Sequence, residues 1–264
     1  MSRIGDRFAK LRARGERAFV PFVTAGDPDL ATSEAIVLAL AEAGSDVIEI
    51  GVPFSDPIAD GPTIQRATER ALANGTTLRR VLELARRVRA RTDVPLALMG
   101  SANPYYAMGP AGFAKAAAEA GVDGVLVPDL PPEEGADLYG ALADVGVDGI
   151  LLAAPTTTEA RMKLLAGKTR GFLYFVSLTG ITGARAALAA DLEANVRRAR
   201  AAGPLPVCVG FGISTPEQAR TVGAYADGIA VGSALVNLVE RAKTADEAVD
   251  SVAQLAAAMK AALR

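Results

Sequence analysis

A single (β/α)8 barrel of the TIM type, with an extra N-terminal helix and an inserted helix after the second strand, is the fold predicted by this 264-residue chain. Three observations carry that prediction. Short apolar runs recur along the whole sequence, they are apolar over most of their length, and stretches with helical spacing separate them. A strand that is apolar on both faces is buried on both, as in a parallel sheet covered by helices. One barrel of this type typically takes ~250 residues, and no Pro/Gly/Ser-rich linker divides residues 1–264, so one domain is expected.

The first element is a helix near Arg3 to Arg14, where Ile4, Phe8 and Leu11 fall on one face. Asp6 and the lack of an unbroken apolar stretch make this segment neither a signal peptide nor a membrane span. The eight candidate strands are Phe19 to Val23, Val47 to Ile50, Leu96 to Met99, Gly124 to Val127, Gly149 to Ala153, Phe172 to Val176, Pro206 to Val209 and Gly228 to Val231. Between them, Leu78, Val81, Leu82, Ala85 and Val88 mark one helix face, and Leu138, Leu142 and Val145 another. The joints Ala43-Gly44-Ser45-Asp46, Ala120-Gly121-Val122-Asp123 and Val145-Gly146-Val147-Asp148 share a pattern, which Tyr225-Ala226-Asp227 follows less closely. Glycine just past a helix takes the left-handed cap, and a short polar residue then opens the next strand. An open doubly wound sheet is the main alternative. Its G-x-G-x-x-G fingerprint is missing after the first strand, where Val23-Thr24-Ala25-Gly26-Asp27-Pro28 stands instead.

Composition narrows the function. A formal net charge of -2 offers no basic excess for nucleic acid or an anionic membrane. Cys208 is the only cysteine and reads as a small core residue, which fits a soluble cytoplasmic protein. The chain has no histidine, so a Ser-His nucleophile, a histidine base and a histidine-ligated metal are all ruled out. Arg79, Arg80, Arg86, Arg87, Arg89 and Arg91, like Arg197, Arg198 and Arg200, read as solvated helix faces.

The chemistry gathers between Glu49 and Asp60. Glu49 interrupts the apolar run Val47-Ile48-Glu49-Ile50, where an ionised carboxylate is poorly solvated, and Asp60 lies in a wetter loop between Ala59 and Gly61. Two carboxylates in unlike surroundings can divide into acid and base; a satisfied structural role for Glu49 is the alternative. Barrel active sites lie at the C-terminal strand ends. Three late loops there are rich in glycine: Thr179-Gly180-Ile181-Thr182-Gly183, Gly210-Phe211-Gly212-Ile213-Ser214 and Gly232-Ser233-Ala234. The amides of Gly212, Gly232 and Ser233 could meet one phosphate, with Thr215-Pro216-Glu217-Gln218 capping the helix behind. Phe22, Met99, Leu126 and Phe211 could line an apolar slot, and Asp129, Tyr174 and Asn103 sit at or just past strand ends. Lys10, Lys115, Lys163, Lys168, Lys243 and Lys260 all fall in or beside helices, so no lysine is available inside the barrel for a Schiff base. Metal-free proton transfer by carboxylates on a phosphorylated substrate is what remains.

From Phe19-Val20-Pro21-Phe22-Val23-Thr24-Ala25-Gly26-Asp27-Pro28, through the run from Glu49 to Gln65, to Val231-Gly232-Ser233-Ala234, the chain resembles the alpha subunits of tryptophan synthase end to end. The resemblance implies retro-aldol cleavage of indole-3-glycerol phosphate to indole and glyceraldehyde 3-phosphate. Glu49 would then shuttle protons, Asp60 would stabilise charge on the ring nitrogen and Tyr174 would support Glu49. The apolar slot would hold indole, and Gly183 with the other glycine loops would bind phosphate. The resemblance also implies a beta subunit in an alpha2-beta2 heterotetramer, with pyridoxal phosphate in the beta subunit and no cofactor in this chain. Ser101 stands where the family often has tyrosine, and the loop from Thr179 to Leu188 would close over substrate. A sugar-phosphate isomerase or epimerase on the same barrel and a non-catalytic activating subunit are the alternatives.

Overall fold

Eight parallel strands follow one another around a closed barrel: β1 (Ala18–Thr24), β2 (Ile48–Gly51), β3 (Leu96–Met99), β4 (Gly124–Leu126), β5 (Asp148–Ala153), β6 (Leu173–Val176), β7 (Val207–Gly210) and β8 (Gly228–Val231), which pairs back to β1. The structure, a computed structural model, describes residues 2–177, 185–210 and 212–264, with 185–190 described by backbone alone. Its helices are α1 (Arg3–Arg14), α2 (Leu30–Glu42), α3 (Pro62–Ala73), α4 (Leu78–Arg89), α5 (Ala102–Met108), α6 (Pro110–Glu119), α7 (Ala136–Asp144), α8 (Glu159–Lys168), α9 (Arg185–Ala201), α10 (Pro216–Gly223), α11 (Ser233–Arg241) and α12 (Ala245–Ala261). The predicted fold is therefore observed. α1 precedes the barrel, and α3 and α4 both lie between β2 and β3.

Strand alternation sorts the side chains into two layers. Phe19, Ile48, Ile50, Leu96, Leu98, Phe175 and Val209 face the helices, while Ala18, Val20, Val47, Ala97, Leu126, Ile150, Phe172, Tyr174 and Cys208 fill the barrel. Ile4, Phe8 and Leu11 of α1 join the inner cluster and plug the N-terminal end of the barrel. The glycine joints form as expected, with Gly44, Gly121 and Gly146 at positive φ.

The aspartates after those joints do more than open a strand. Asp46 N–H donates to Phe19 O while Asp46 Oδ2 accepts from Phe19 N. Asp123 makes the same reciprocal pair with Leu96, and Asp227 makes it with Val207. In the corresponding place between β5 and β6, Thr169 Oγ1 accepts from Leu151 N. The start of each even strand thus clamps the odd strand before it and satisfies amides that would otherwise be buried without a partner.

Three expectations need correction. Val145 is 40% exposed and caps α7 rather than joining its buried face, because the chain turns at Gly146. Arg89 is not on a solvated face: its guanidinium donates to the carbonyls of Gly121, Thr92 and Val94 and pairs with Asp123 at 2.6 Å. Arg198 similarly turns inward to the carbonyls of Pro155 and Thr157.

Candidate active site

Val47, just before β2, and Glu49 and Gly51 within it share one inward face, and this alternation carries Glu49 into the barrel interior. It is aligned with Phe22 of β1 and Ala97 of β3, is fully buried, and has no hydrogen-bond partner for either carboxylate oxygen among the described residues. Burial alone pushes its carboxyl up to about 8, so the resting side chain is neutral at pH 7. A buried acid without structural partners holds nothing in place. It is poised to give or take a proton.

Above Glu49 a cleft opens at the C-terminal end of the barrel, with Phe22, Thr24, Gly51, Ile64, Met99 and Asp60 in its lining. Phe22 lies against the bare backbone of Gly51 and also packs with Ala67 of α3 and Val236 of α11. Asp60 is held in the turn before α3, where its N–H donates to Pro57 O at 3.1 Å. Its carboxyl is raised to about 6, first by burial and then by the neighbouring charge of Asp129. Between these two values, Glu49 is protonated while Asp60 is ionised.

Tyr174 faces the barrel interior with Cys208, and a Cβ on Gly210 would overlap its hydroxyl. Burial, then the nearby Glu49, raises the Tyr174 phenol well above the usual tyrosine range, so it stays a neutral donor. It makes no hydrogen bond to Glu49 in this structure. Leu126 is fully buried inside the barrel and is not among the residues lining the cleft, unlike Phe22 and Met99. Asp129 Oδ1 accepts from Ala102 N at the start of α5, which carries Asn103.

At the other side of Phe22, Gly232 caps α11 and Ser233 begins it. Gly212 has φ +81°, and α10 opens with the expected capping box between Thr215 and Gln218. Amides at such helix starts and glycine turns suit an anion. Phe211, Gly183 and most of the loop from Thr179 to Leu188 lie outside the described residues, and the side chains of that loop all do. Two residues carried no signal in the sequence as parts of this site, Thr24 in the lining of the cleft and Gln65 beside the Asp60 backbone. Thr24 lies two positions after Phe22 on the same face of β1, and its buried hydroxyl has no partner among the described residues. Gln65, one helical turn beyond Asp60, donates from Nε2 to the Asp60 carbonyl at 2.9 Å.

The family model described as "Tryptophan synthase alpha chain" matches residues 8–264. The tryptophan synthase alpha chain of Geobacter sp. (strain M21) is 58% identical over 246 residues, covering 93% of this chain and 92% of its own. That of Geobacter sulfurreducens is 52% identical over 263 residues, covering 100% and 99%. Among solved structures, tryptophan synthase subunit alpha from Legionella pneumophila str. Paris superposes with a TM-score of 0.92 at 38% identity, covering 100% of this chain and 98% of that one.

Proposed function

The chain belongs to the tryptophan synthase alpha chain family, and we propose that Glu49 moves the protons of its reaction while Asp60 steadies the charge that builds on the indole ring. It is a lyase of tryptophan biosynthesis, which cleaves indole-3-glycerol phosphate to indole and glyceraldehyde 3-phosphate. The carbon–carbon bond breaks, indole C3 gains a proton and a glycerol hydroxyl loses one. Neutral Glu49 gives its proton to C3, which turns the ring into an electron sink. As a carboxylate it then takes the hydroxyl proton while the bond electrons return to the ring, and it ends the cycle protonated. Ionised Asp60 faces the positive charge on the ring nitrogen during the interval.

The observation that carries this reading is Glu49 itself, fully buried and unpartnered among the described residues, beneath a cleft whose lining includes Asp60. Phe22 and Met99, which line the cleft, are the apolar walls for the ring; Leu126, deeper in the barrel, and Phe211, outside the described residues, belong to the slot in this proposal. Gly183, Gly212, Gly232 and Ser233 hold the phosphate, and Tyr174, on the interior side of the barrel, supports Glu49. The family implies a beta-subunit partner. An alpha2-beta2 assembly, pyridoxal phosphate in that beta subunit, none in this chain, and a cytoplasmic location belong to the proposal. The isomerase or epimerase and the non-catalytic subunit find no support in the matched relatives.

Indole release from indole-3-glycerol phosphate, with and without a beta subunit, tests the roles. Glu49→Gln is expected to abolish turnover, and Asp60→Asn to lose most of it while retaining affinity for indolepropanol phosphate. Normal turnover by either variant removes that residue's role.

A further inference from the structure

Asp60 is carried by a segment with little else to hold it. Among the described residues, the hydrogen bonds made by residues 53–60 close on the segment itself, from Ile58 N to Asp56 O, from Asp60 N to Pro57 O and from Ser55 Oγ to Asp56. Among the described residues, one hydrogen bond ties the segment to a regular element, and it runs from Gln65 Nε2 to the Asp60 carbonyl at 2.9 Å. Gln65 sits in the first turns of α3, where its own N–H and that of Ile64 donate to Gly61 O.

α3 is a firm base for such a bond. Arg70 grips the buried Asp27 with two hydrogen bonds, at 2.7 and 2.9 Å, and reaches Glu240 of α11 at 3.0 Å. Arg66, one turn earlier, holds Glu240 with two more. The helix is therefore locked both to the loop after β1 and to α11, whose first residues border Phe22. A paired guanidinium on a buried carboxylate fixes direction as well as distance.

We infer that Gln65 is a positioning residue for the reaction: its side-chain amide transmits the fixed place of α3 to the Asp60 peptide, and so aims the Asp60 carboxylate at the substrate ring. This rests on the role given to Asp60 above. A carboxylate misplaced by about 1 Å can cost on the order of a hundredfold in rate, and the Gln65 bond is the only one outside the segment's own turns that resists such drift among the described residues.

Gln65→Met preserves length and bulk but cannot donate. In the full chain it is expected to lower kcat for indole release on the order of tenfold or more, with KM for indole-3-glycerol phosphate changed less than about twofold. Combined with Asp60→Asn, it should add no further loss, because Gln65 acts only through the Asp60 side chain. Unchanged kcat in Gln65→Met, an effect confined to KM, or a loss that multiplies with that of Asp60→Asn overturns the inference. Thermal unfolding of each variant separates a general loosening of α3 from this effect, since a fall in kcat matched by loss of folded protein also counts against it. Full activity of Asp60→Asn alone would instead remove the role of Asp60.

Discussion

The ring of Phe22 rests on the missing side chain of Gly51: a Cβ built on that glycine would stand 2.5 Å from Phe22 Cζ. The contact sets the width of the cleft, since both residues line it and Phe22 also borders Gly232 at the start of α11. Gly51→Ala must push the ring toward the substrate or distort β1. Indole-release kinetics should show kcat/KM reduced on the order of tenfold or more, mainly through KM. Phe22→Leu in the same chain should recover part of the loss by giving the new methyl group room. A Gly51→Ala enzyme with normal KM would mean that the ring has another place to go.

Glu49 also costs stability, and the cost depends on pH. Below its ordinary 4.5 the carboxyl is protonated in folded and unfolded chains alike. Between 4.5 and about 8 the folded chain keeps a proton that the unfolded chain has lost, so folded stability falls as pH rises; above about 8 the penalty is complete. Glu49→Gln has no such proton to lose. Urea unfolding at a series of pH values should find the variant more stable than the parent by a margin that grows across this window to a few kcal/mol. A constant margin would mean that Glu49 is solvated or paired in solution.

The same group should govern the alkaline side of the rate profile. Neutral Glu49 is the form that can protonate indole C3, so kcat/KM of the isolated chain is expected to fall as pH rises through about 8. The acid side is less clean, because Asp60 near 6 overlaps the titration of a phosphate monoester, whose second pKa is about 6. A profile flat from pH 7 to 9.5 would count against Glu49 as the acid.

The fold is legible in the sequence wherever one physical rule dominates. Strands buried on both faces must be apolar throughout, and the left-handed turns at Gly44, Gly121 and Gly146 tolerate few other residues. The unusual burial of Glu49 is legible because a carboxylate inside an apolar run costs stability unless it is paired or useful. Arg89 and Arg198 were misread because a charged residue on a helix looks solvated until the partners are known. Those partners, Asp123 and the carbonyls of Pro155 and Thr157, lie tens of residues away. Leu126 shows the converse limit: alternation puts it inside the barrel, but the depth of the cleft decides whether it meets the ligand, and depth follows from the closed register. Gln65 stood within the matched motif, yet its target is a backbone carbonyl, which carries no sequence signal.

At the opposite end of the barrel, substitutions should separate stability from catalysis. Asp123 is 7% exposed, accepts from the buried Leu96 N–H at 2.8 Å and pairs with both Arg89 and Arg3. Asp123→Ala would leave that amide without an acceptor and the half-buried Arg89 without its carboxylate, at a combined cost of about 2–4 kcal/mol. Asp123→Asn keeps an acceptor for the amide and should cost less. Since residues at the N-terminal face of such barrels serve stability and those at the C-terminal face serve catalysis, both variants should keep kcat near that of the parent at temperatures where they remain folded. Thermal unfolding and indole-release rates measured on the same preparations decide the matter. A large fall in kcat without a fall in Tm would show that the clamp at Asp123 reaches the cleft through β4.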